Sequence, residues 1–196
     1  GRPFREDLHR LRQHPGATIL HNLICSKAVP EVVTELGGNP VRTRVGHSFI
    51  KQVMAETGAE FGGEHSAHYY FARNFNADSG LIASLMVMAE VGRSGQALSV
   101  VRKPYERYAA SGEINTEVTD ANAVIERISA LYESCSQDRL DGLTVACGSW
   151  WFNLRPSNTE PLLRLNLEAD DRGACDDRVS AVLGQITGVA HITDAN

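Results

Sequence analysis

Apolar residues in the first half of the chain switch repeatedly between strand-like runs and helix-like spacing. Short buried strands are predicted at 17–23, 41–45, 59–62 and 69–71. Between the strands, apolar residues three and four apart predict one helix with Pro30 in its first turn and another from His47 to Thr57. Asp78 and Ser79 are predicted to cap a third helix over 81–91. This alternation of strand and helix predicts an α/β layer with a largely parallel sheet.

The second of these helices has a clear apolar face. The residues predicted to point inward are Phe49, Ile50, Val53 and Met54. Gly58 is the predicted end of the helix.

The second half of the chain combines two helix patterns with strands of alternating polarity. Asp120 is predicted to cap a helix that runs to Leu131, and Asp170 and Asp171 to begin another. Strands are expected at 143–147 and 163–167 because leucine or valine alternates there with smaller or polar residues. Two helices and several antiparallel strands predict a small α+β domain.

Charge divides the chain at the same place as the change in pattern. Residues 1–112 carry a net charge of +3 and residues 113–196 a net charge of −8. We therefore predict two domains, 1–112 and 113–196. The net charge of −5 for the whole chain argues against binding along a nucleic-acid backbone.

Composition narrows the class of protein further. With 42% hydrophobic and 22% charged residues in 196, the chain is typical of a globular protein and not of a disordered tail, a collagen-like fibre or a coiled-coil rod. No apolar run approaches the roughly 18 residues that span a bilayer. The first sixteen residues are polar and basic, without the apolar core of an export signal, and they begin without Met. We expect a cytoplasmic protein without a membrane partner, and a chain that is one piece of a longer one.

Four cysteines occur, at positions 25, 135, 147 and 175, and none forms a CxxC pair. In a chain of this size without an export signal, we expect them to be reduced thiols.

The first segment that could carry chemistry is Gly62–His68, directly after a predicted strand. Two glycines permit close backbone approach, and a carboxylate, a hydroxyl and two imidazoles follow them within five residues. Such groups suit hydrogen bonding to a polyol and proton transfer near neutral pH. An ordinary polar turn is the alternative. The spacing of His65 and His68 lacks a third nearby metal ligand, so no metal site is predicted in this chain.

Two further segments could bind an anion. In residues 155–161, RPSNTEP, Arg155 offers a planar fork for phosphate, and hydroxyl and amide side chains add neutral donors. The alternative is a solvated turn. Gly46, His47 and Ser48 begin a predicted helix, and helix N-termini favour anions; simple capping is the alternative there. Patterns for a nucleotide-binding loop, a serine hydrolase or a zinc protease are absent from the sequence.

Taken in order, GHSFIKQVMAETGAEFGGEHSAHYYF, NADSG and RPSNTEPLLRLNLEAD resemble the α-D-phosphohexomutase superfamily, in its phosphomannomutase/phosphoglucomutase branch. GEHSAH is similar to the family's sugar-recognition motif GExSGH, and RPSNTEP to its phosphate-binding loop. Ala67 stands where many members have Gly, and Ile24 where some members have a phosphate-binding Lys. The resemblance covers the third and fourth of the family's four domains. It implies a three-layer α/β/α sugar-binding domain followed by a small α+β domain with an antiparallel sheet and two helices.

The resemblance also implies roles for individual residues. Glu64 and Ser66 would bind sugar hydroxyls, and His68, with His47, would be catalytic in proton transfer. The residues that it implies for phosphate binding are Arg155, Ser157, Asn158 and Thr159.

The implied reaction interconverts hexose 6-phosphate and hexose 1-phosphate through a phosphoserine and a bisphosphorylated sugar. The family's phosphoserine and Mg²⁺ loops belong to its first two domains, and neither of their motifs occurs here. Mg²⁺ and a hexose 1,6-bisphosphate activator would therefore serve the complete enzyme, whose N-terminal domains are the expected partner. This chain alone is predicted to be inactive. The alternatives are a phosphoglucosamine mutase and a non-catalytic sugar-phosphate-binding module.

Overall fold

The computed structural model describes residues 16–157 and 160–188, and the chain divides into two units between Arg107 and Tyr108. The predicted junction at 112–113 falls inside a strand of the second unit, Ala109–Glu117. Within the described residues, no helix combines the length and the hydrophobicity that crossing a membrane requires.

The first unit is built on a five-stranded sheet in the order β2-β1-β3-β4-β5. Its strands are β1 (Thr18–Asn22), β2 (Asn39–Thr43), β3 (Phe61–Gly63), β4 (Tyr69–Phe71) and β5 (Ala77–Asp78). β1 is parallel to β2 and to β3, but the pairs β3–β4 and β4–β5 are antiparallel. The prediction of a largely parallel sheet is therefore wrong for half of it. The short turn between β3 and β4 leaves no room for the crossover helix that parallel strands need.

Helices cover both faces of this sheet, so the predicted three-layer α/β/α architecture is confirmed. They are α1 (Ala28–Glu35), α2 (His47–Thr57), α3 (Gly80–Ser94) and α4 (Leu98–Arg102). Successive residues of a strand point to opposite faces. Ile19 accordingly packs in one apolar cluster with residues of α1 and α3, and Leu20 in the other with residues of α2.

The helix α2 has the bounds that the sequence predicts, but one of its four inward positions is wrong. Ile50 and Met54 are 0% and 1% exposed, whereas Phe49 is 38% exposed. The guanidinium of Arg44 lies 4.6 Å from the centre of the Phe49 ring. A cation over the ring face gives this phenylalanine a favourable contact at the surface.

The second unit is an antiparallel sheet with two helices, as predicted. The strand order is β6-β10-β9-β8-β7, with β6 (Ala109–Glu117), β7 (Ser136–Asp138), β8 (Leu143–Cys147), β9 (Trp150–Pro156) and β10 (Leu162–Ala169). The helices are α5 (Ala121–Leu131) and α6 (Arg172–Thr187). Asp120 and Asp171 cap them by accepting backbone N–H groups at 3.0 and 2.8 Å.

The expectation of four reduced cysteines is wrong for two of them. Cys135 and Cys147 form a disulfide, with Cα atoms 5.1 Å apart, while Cys25 and Cys175 take no part in a disulfide. The pairing of β7 with β8 sets Ser136 opposite Ala146. Their neighbours Cys135 and Cys147 therefore meet across the two strands, a proximity that the sequence spacing does not reveal.

At Gly142 in the second unit, both the backbone conformation and the surrounding atoms require glycine. Its φ is +70°, and a Cβ there would overlap the Leu154 carbonyl oxygen and lie 3.0 Å from the Arg155 Cα. Gly148 has a similar φ of +67° but open space around the Cβ position. Substituting both glycines therefore distinguishes the cost of backbone strain, which they share, from the cost of steric overlap, which only Gly142 has.

We expect Gly142→Ala to lower the free energy of unfolding by at least about 3 kcal/mol, because backbone atoms of β9 must shift. Gly148→Ala should cost only the conformational strain, about 1–2 kcal/mol. Urea unfolding of both variants measures the difference. Equal losses would contradict the overlap with β9.

Candidate active site

The central strand β3 leads directly into Glu64, one of two buried acids among the described residues of the first unit, the other being Glu90 on α3. A Cβ on Gly62 would lie 3.1 Å from Ile50 Cγ2 and 3.5 Å from Leu20 Cβ, so the glycine lets α2 approach the sheet closely. Glu64 itself is only 5% exposed. A carboxylate buried to this degree requires hydrogen-bond donors.

Three groups supply donors to Glu64. The hydroxyl of Tyr70 donates to Oε1 at 2.6 Å. The backbone N–H of Gly46 donates to Oε2 at 3.1 Å, and Asn22 Nδ2 lies 3.5 Å from the same oxygen. Gly46 is the N-cap of α2, so the anion at this helix N-terminus is a carboxylate of the protein itself. The backbone N–H of Gly46, part of the helix start that the sequence predicts as a possible anion site, is therefore occupied by Glu64.

Tyr70 connects Glu64 to His47. The Tyr70 hydroxyl lies 2.7 Å from His47 Nδ1, and Tyr70 is fully buried. Burial raises the pKa of Tyr70, and the hydrogen bond to Glu64 raises it further. A phenol carries one proton, which here goes to Glu64, so the Tyr70 oxygen accepts from Nδ1–H of His47. The free lone pair of neutral His47 is therefore on Nε2.

His68 is oriented by Asp78 in a comparable way. Its Nδ1 lies 3.0 Å from Asp78 Oδ2. The hydrogen bond to His68 holds the pKa of Asp78 below its ordinary value, and the nearby charges of His47 and His68 lower it further. An ionised Asp78 only accepts, so His68 donates through Nδ1–H and leaves Nε2 as the free acceptor.

Asp78 was predicted to cap the following helix, and this prediction is wrong. The cap of α3 is Ser79, whose hydroxyl accepts from the N–H of Ile82 at 3.2 Å. Asp78 is thereby left to bond His68.

The structure brings the two predicted catalytic histidines together. The ring centres of His47 and His68 lie 4.2 Å apart, and His47 Nδ1 lies 3.9 Å from Asp78 Oδ1. Ser66 is exposed in the turn after Glu64, and so is His65. The sequence pattern does not identify Asn22, Tyr70 or Asp78 as members of this site. Alternation along β4 does place Tyr70 beside the motif, but which strand ends adjoin Glu64 depends on the strand order.

The second unit contains the predicted phosphate segment. Arg155 on β9 and Arg164 on β10 are directly paired across the two antiparallel strands. Arg155 Nη2 lies 3.6 Å and Arg164 Nη1 3.3 Å from the carboxylate of Glu113. Arg164 Nη2 also lies 3.5 Å from the Ser157 hydroxyl. Asn158 and Thr159 lie outside the described residues.

These two arginines have donor capacity to spare. Within the described residues, the Nε atoms of Arg155 and Arg164 are buried and have no hydrogen-bond acceptor. Two cations face one carboxylate, so the cluster formed by Arg155, Arg164 and Glu113 has an excess positive charge in a half of the chain that is otherwise acidic. Such an arrangement favours an added anion. Arg164, which lies outside the RPSNTEP segment, is thus beside Arg155 and contacts the same carboxylate.

Ala67 occupies a backbone conformation that favours glycine. Its φ is +67°, a left-handed value that costs an L-residue about 1–2 kcal/mol. We expect Ala67→Gly to raise the free energy of unfolding of the first unit by about 0.5–1 kcal/mol, the strain relief less the entropy cost of glycine.

The control for this prediction is the same substitution in ordinary helix. Ala89 is exposed inside α3, and Ala89→Gly should destabilise by about 1 kcal/mol. Thermal and urea unfolding of both variants test the sign. A loss of stability in Ala67→Gly would refute the strain.

Comparison with known proteins follows the same division of the chain. Residues 5–108 match the family described as phosphoglucomutase/phosphomannomutase, alpha/beta/alpha domain III. Residues 113–185 match the phosphoglucomutase/phosphomannomutase C-terminal domain.

Similar proteins include enzymes and solved structures of this family. A phosphomannomutase of Methanocaldococcus jannaschii is 42% identical over 172 residues, which are 88% of this chain and 38% of that protein. A phosphoglucomutase/phosphomannomutase family protein from Burkholderia thailandensis has a TM-score of 0.78 at 26% identity, over 97% of this chain and 42% of that one. Aspergillus fumigatus N-acetylphosphoglucosamine mutase, solved in complex with glucose 1,6-bisphosphate, shares the fold, with a TM-score of 0.65 at 15% identity over 93% of this chain and 41% of that one.

This chain spans only about two fifths of the length of the curated relatives, 38% and 41% for two of them. The part that it spans corresponds to the third and C-terminal domains. With both family matches in order along the chain, and with strand and helix arrangements that fit them, the chain belongs to the phosphoglucomutase/phosphomannomutase family.

Proposed function

We propose that this chain is the sugar-recognition and phosphate-binding half of a hexose phosphate mutase, with mannose phosphate as the first candidate substrate. The observation that carries the proposal is the pair of hydrogen-bonded groups after β3: Glu64 with Tyr70 and His47, and Asp78 with His68. We assign sugar recognition to residues 1–112 and phosphate binding to residues 113–196.

Glu64 has capacity for one more hydrogen bond. A carboxylate has about four acceptor positions, and Tyr70, Gly46 and Asn22 occupy three of them. The fourth suits a sugar hydroxyl. Ser66, exposed in the same turn, would add a second hydroxyl contact. Buried donors hold the carboxylate fixed, so a sugar binds it without reorganisation.

His68 is the proposed proton carrier. Its Nδ1–H is held by Asp78, and its Nε2 is free to take a proton from the attacking sugar hydroxyl or to return one to the leaving oxygen. A carboxylate behind a histidine fixes the tautomer and stabilises the imidazolium that forms. His47, 4.2 Å away ring to ring, offers a second Nε2 for the other orientation of the substrate.

The phosphate that is not being transferred would bind at Arg155. Its guanidinium supplies the planar fork for two parallel hydrogen bonds. Arg164 adds charge beside it, and Ser157 a neutral donor. Asn158 and Thr159 complete the proposed set by sequence.

The phosphoryl group itself would come from the N-terminal domains, whose phosphoserine and Mg²⁺ belong to other segments. The His47, His68 and Asp78 group, which could hold a cation, does not fit Mg²⁺ because that ion prefers an all-oxygen set. No step in this chain is assigned to Mg²⁺. A hexose 1,6-bisphosphate activator would use the same sugar and phosphate contacts as the substrate.

The first test is the enzyme that carries the two upstream domains, assayed with the 1-phosphates of mannose, glucose and glucosamine. We expect turnover of a hexose phosphate, and only background from the 196-residue chain alone. His68→Ala should lower kcat by about 10²–10⁴-fold, the usual contribution of a proton carrier.

The matched control is His65→Ala, three residues away and outside the hydrogen-bonded group, which should keep kcat within a small factor. Equal effects of the two substitutions would overturn the assignment of His68. Binding of sugar phosphate without turnover in the complete protein would favour the non-catalytic module.

The second test concerns Arg155 in the complete enzyme. Arg155→Ala should reduce kcat/KM by about 30- to 150-fold, since a lost charge-assisted contact costs about 2–3 kcal/mol. Arg155→Lys should recover part of this, because a point charge does not reproduce the fork. Arg164→Ala should fall between Arg155→Ala and wild type.

Arg139 supplies the control, because it pairs with Glu126 at the surface and is not part of the cluster of Arg155, Arg164 and Glu113. Arg139→Ala should leave kcat/KM unchanged. Wild-type efficiency in Arg155→Ala would show that this segment does not hold the phosphate.

A further inference from the structure

Three potential metal ligands converge beside Glu64 from separate parts of the first unit. His47 begins α2, His68 precedes β4, and Asp78 ends β5. Each offers one ligand atom, and these atoms all lie within 4.8 Å of one another. Among residues 16–157 and 160–188, these three form the one group of three histidine, cysteine or acidic side chains whose ligand atoms lie this close together.

The distances approach those of a coordinated ion. Zinc bonds to nitrogen and oxygen measure about 2.0–2.2 Å, which puts neighbouring ligand atoms of a tetrahedral ion about 3.3–3.6 Å apart. His68 Nδ1 and Asp78 Oδ2 already lie 3.0 Å apart. The ring centre of His47 lies 4.2 Å from that of His68, and the His47 side chain is 52% exposed. Nε2 of His47, the nitrogen that Tyr70 leaves free, joins the group after a small movement of this ring.

We propose that His47, His68 and Asp78 form a binding site for a divalent transition-metal ion of the zinc class. Two imidazoles and one carboxylate are a ligand set that Zn²⁺, Co²⁺ and Ni²⁺ accept, whereas Mg²⁺ requires more oxygen ligands. Three protein ligands leave coordination positions open for water or a hydroxyl of a ligand.

The site is accessible and supported. The side chains of His68 and Asp78 are 41% and 33% exposed, so an ion can enter from solvent. Tyr70, itself fully buried, holds His47 by its hydrogen bond. Groups behind the ligands that fix their orientation typically strengthen metal binding 10- to 100-fold.

Metal binding here has a consequence for the reaction that rests on the proposed function. An ion on His68 takes the lone pair or the hydrogen bond that proton transfer uses. A bound transition metal would then inhibit the mutase at its sugar site.

The test uses the 196-residue chain and titration with Co²⁺, followed by visible absorption, and with Zn²⁺, followed by calorimetry. We expect one equivalent of metal whose affinity falls by more than about 100-fold in each of His47→Ala, His68→Ala and Asp78→Asn, beyond the loss for an outer contact. His65→Ala and Cys25→Ser are the matched controls, because one removes a neighbouring histidine and the other a neighbouring thiol; both should bind as wild type does.

Folding of each variant is checked by circular dichroism and by Tm without metal. Zn²⁺ should raise the Tm of the wild type and of the controls, but not that of His68→Ala or of the milder His68→Gln. Unchanged metal affinity in the three ligand variants would overturn the proposal. So would the failure of His65→Ala to bind one equivalent of metal.

The metal test needs no turnover, so it separates the two proposals. Kinetic loss in His68→Ala with no metal bound by the wild type leaves the proposed function and removes the metal site. Metal binding by the wild type together with full activity of His68→Ala in the complete enzyme would keep the metal site and remove the proposed role of His68.

Discussion

The candidate site of the first unit is organised around the buried carboxylate of Glu64. Glu64 lies almost out of contact with water, and an ion there is tolerated only with donors around it. The hydroxyl of Tyr70 and the N–H of Gly46 meet that need. They also join the turn after β3 to β4 and to the start of α2. The proton that Tyr70 gives to Glu64 decides the tautomer of His47, so the chemistry of the exposed ring follows from the needs of the buried acid.

The second unit presents the opposite charge problem. Arg155 and Arg164 are paired across two strands and share the single carboxylate of Glu113. Like charges in direct cross-strand contact are unfavourable, and an anion between them relieves the repulsion. Gly142 supports this arrangement from the other side, since only a residue without Cβ fits against the backbone at Leu154 and Arg155.

Much of the fold follows from local pattern. The bounds of α2, the caps of α5 and α6, and the strand character of β4, β8 and β10 agree with the sequence predictions. Apolar periodicity and capping residues act within a few positions, so they can be identified without the partner elements. Four predictions failed: the largely parallel sheet, the inward Phe49, the capping role of Asp78 and the reduced thiols of Cys135 and Cys147. Each depended on a contact outside the segment's own element, such as that of Phe49 with Arg44 or of Asp78 with His68.

The sequence by itself determined the family and the α/β and α+β classes of the two units. It also singled out the motif residues Glu64, His68 and Arg155, because all of these are encoded in short contiguous segments. Only the tertiary structure decided which residues stand beside them. The strand order β1-β3-β4-β5 brings Asn22, Tyr70 and Asp78 to the motif, and the register of β9 with β10 brings Arg164 to Arg155. Strand order and register are set by packing across the whole sheet, which no single segment of the sequence specifies.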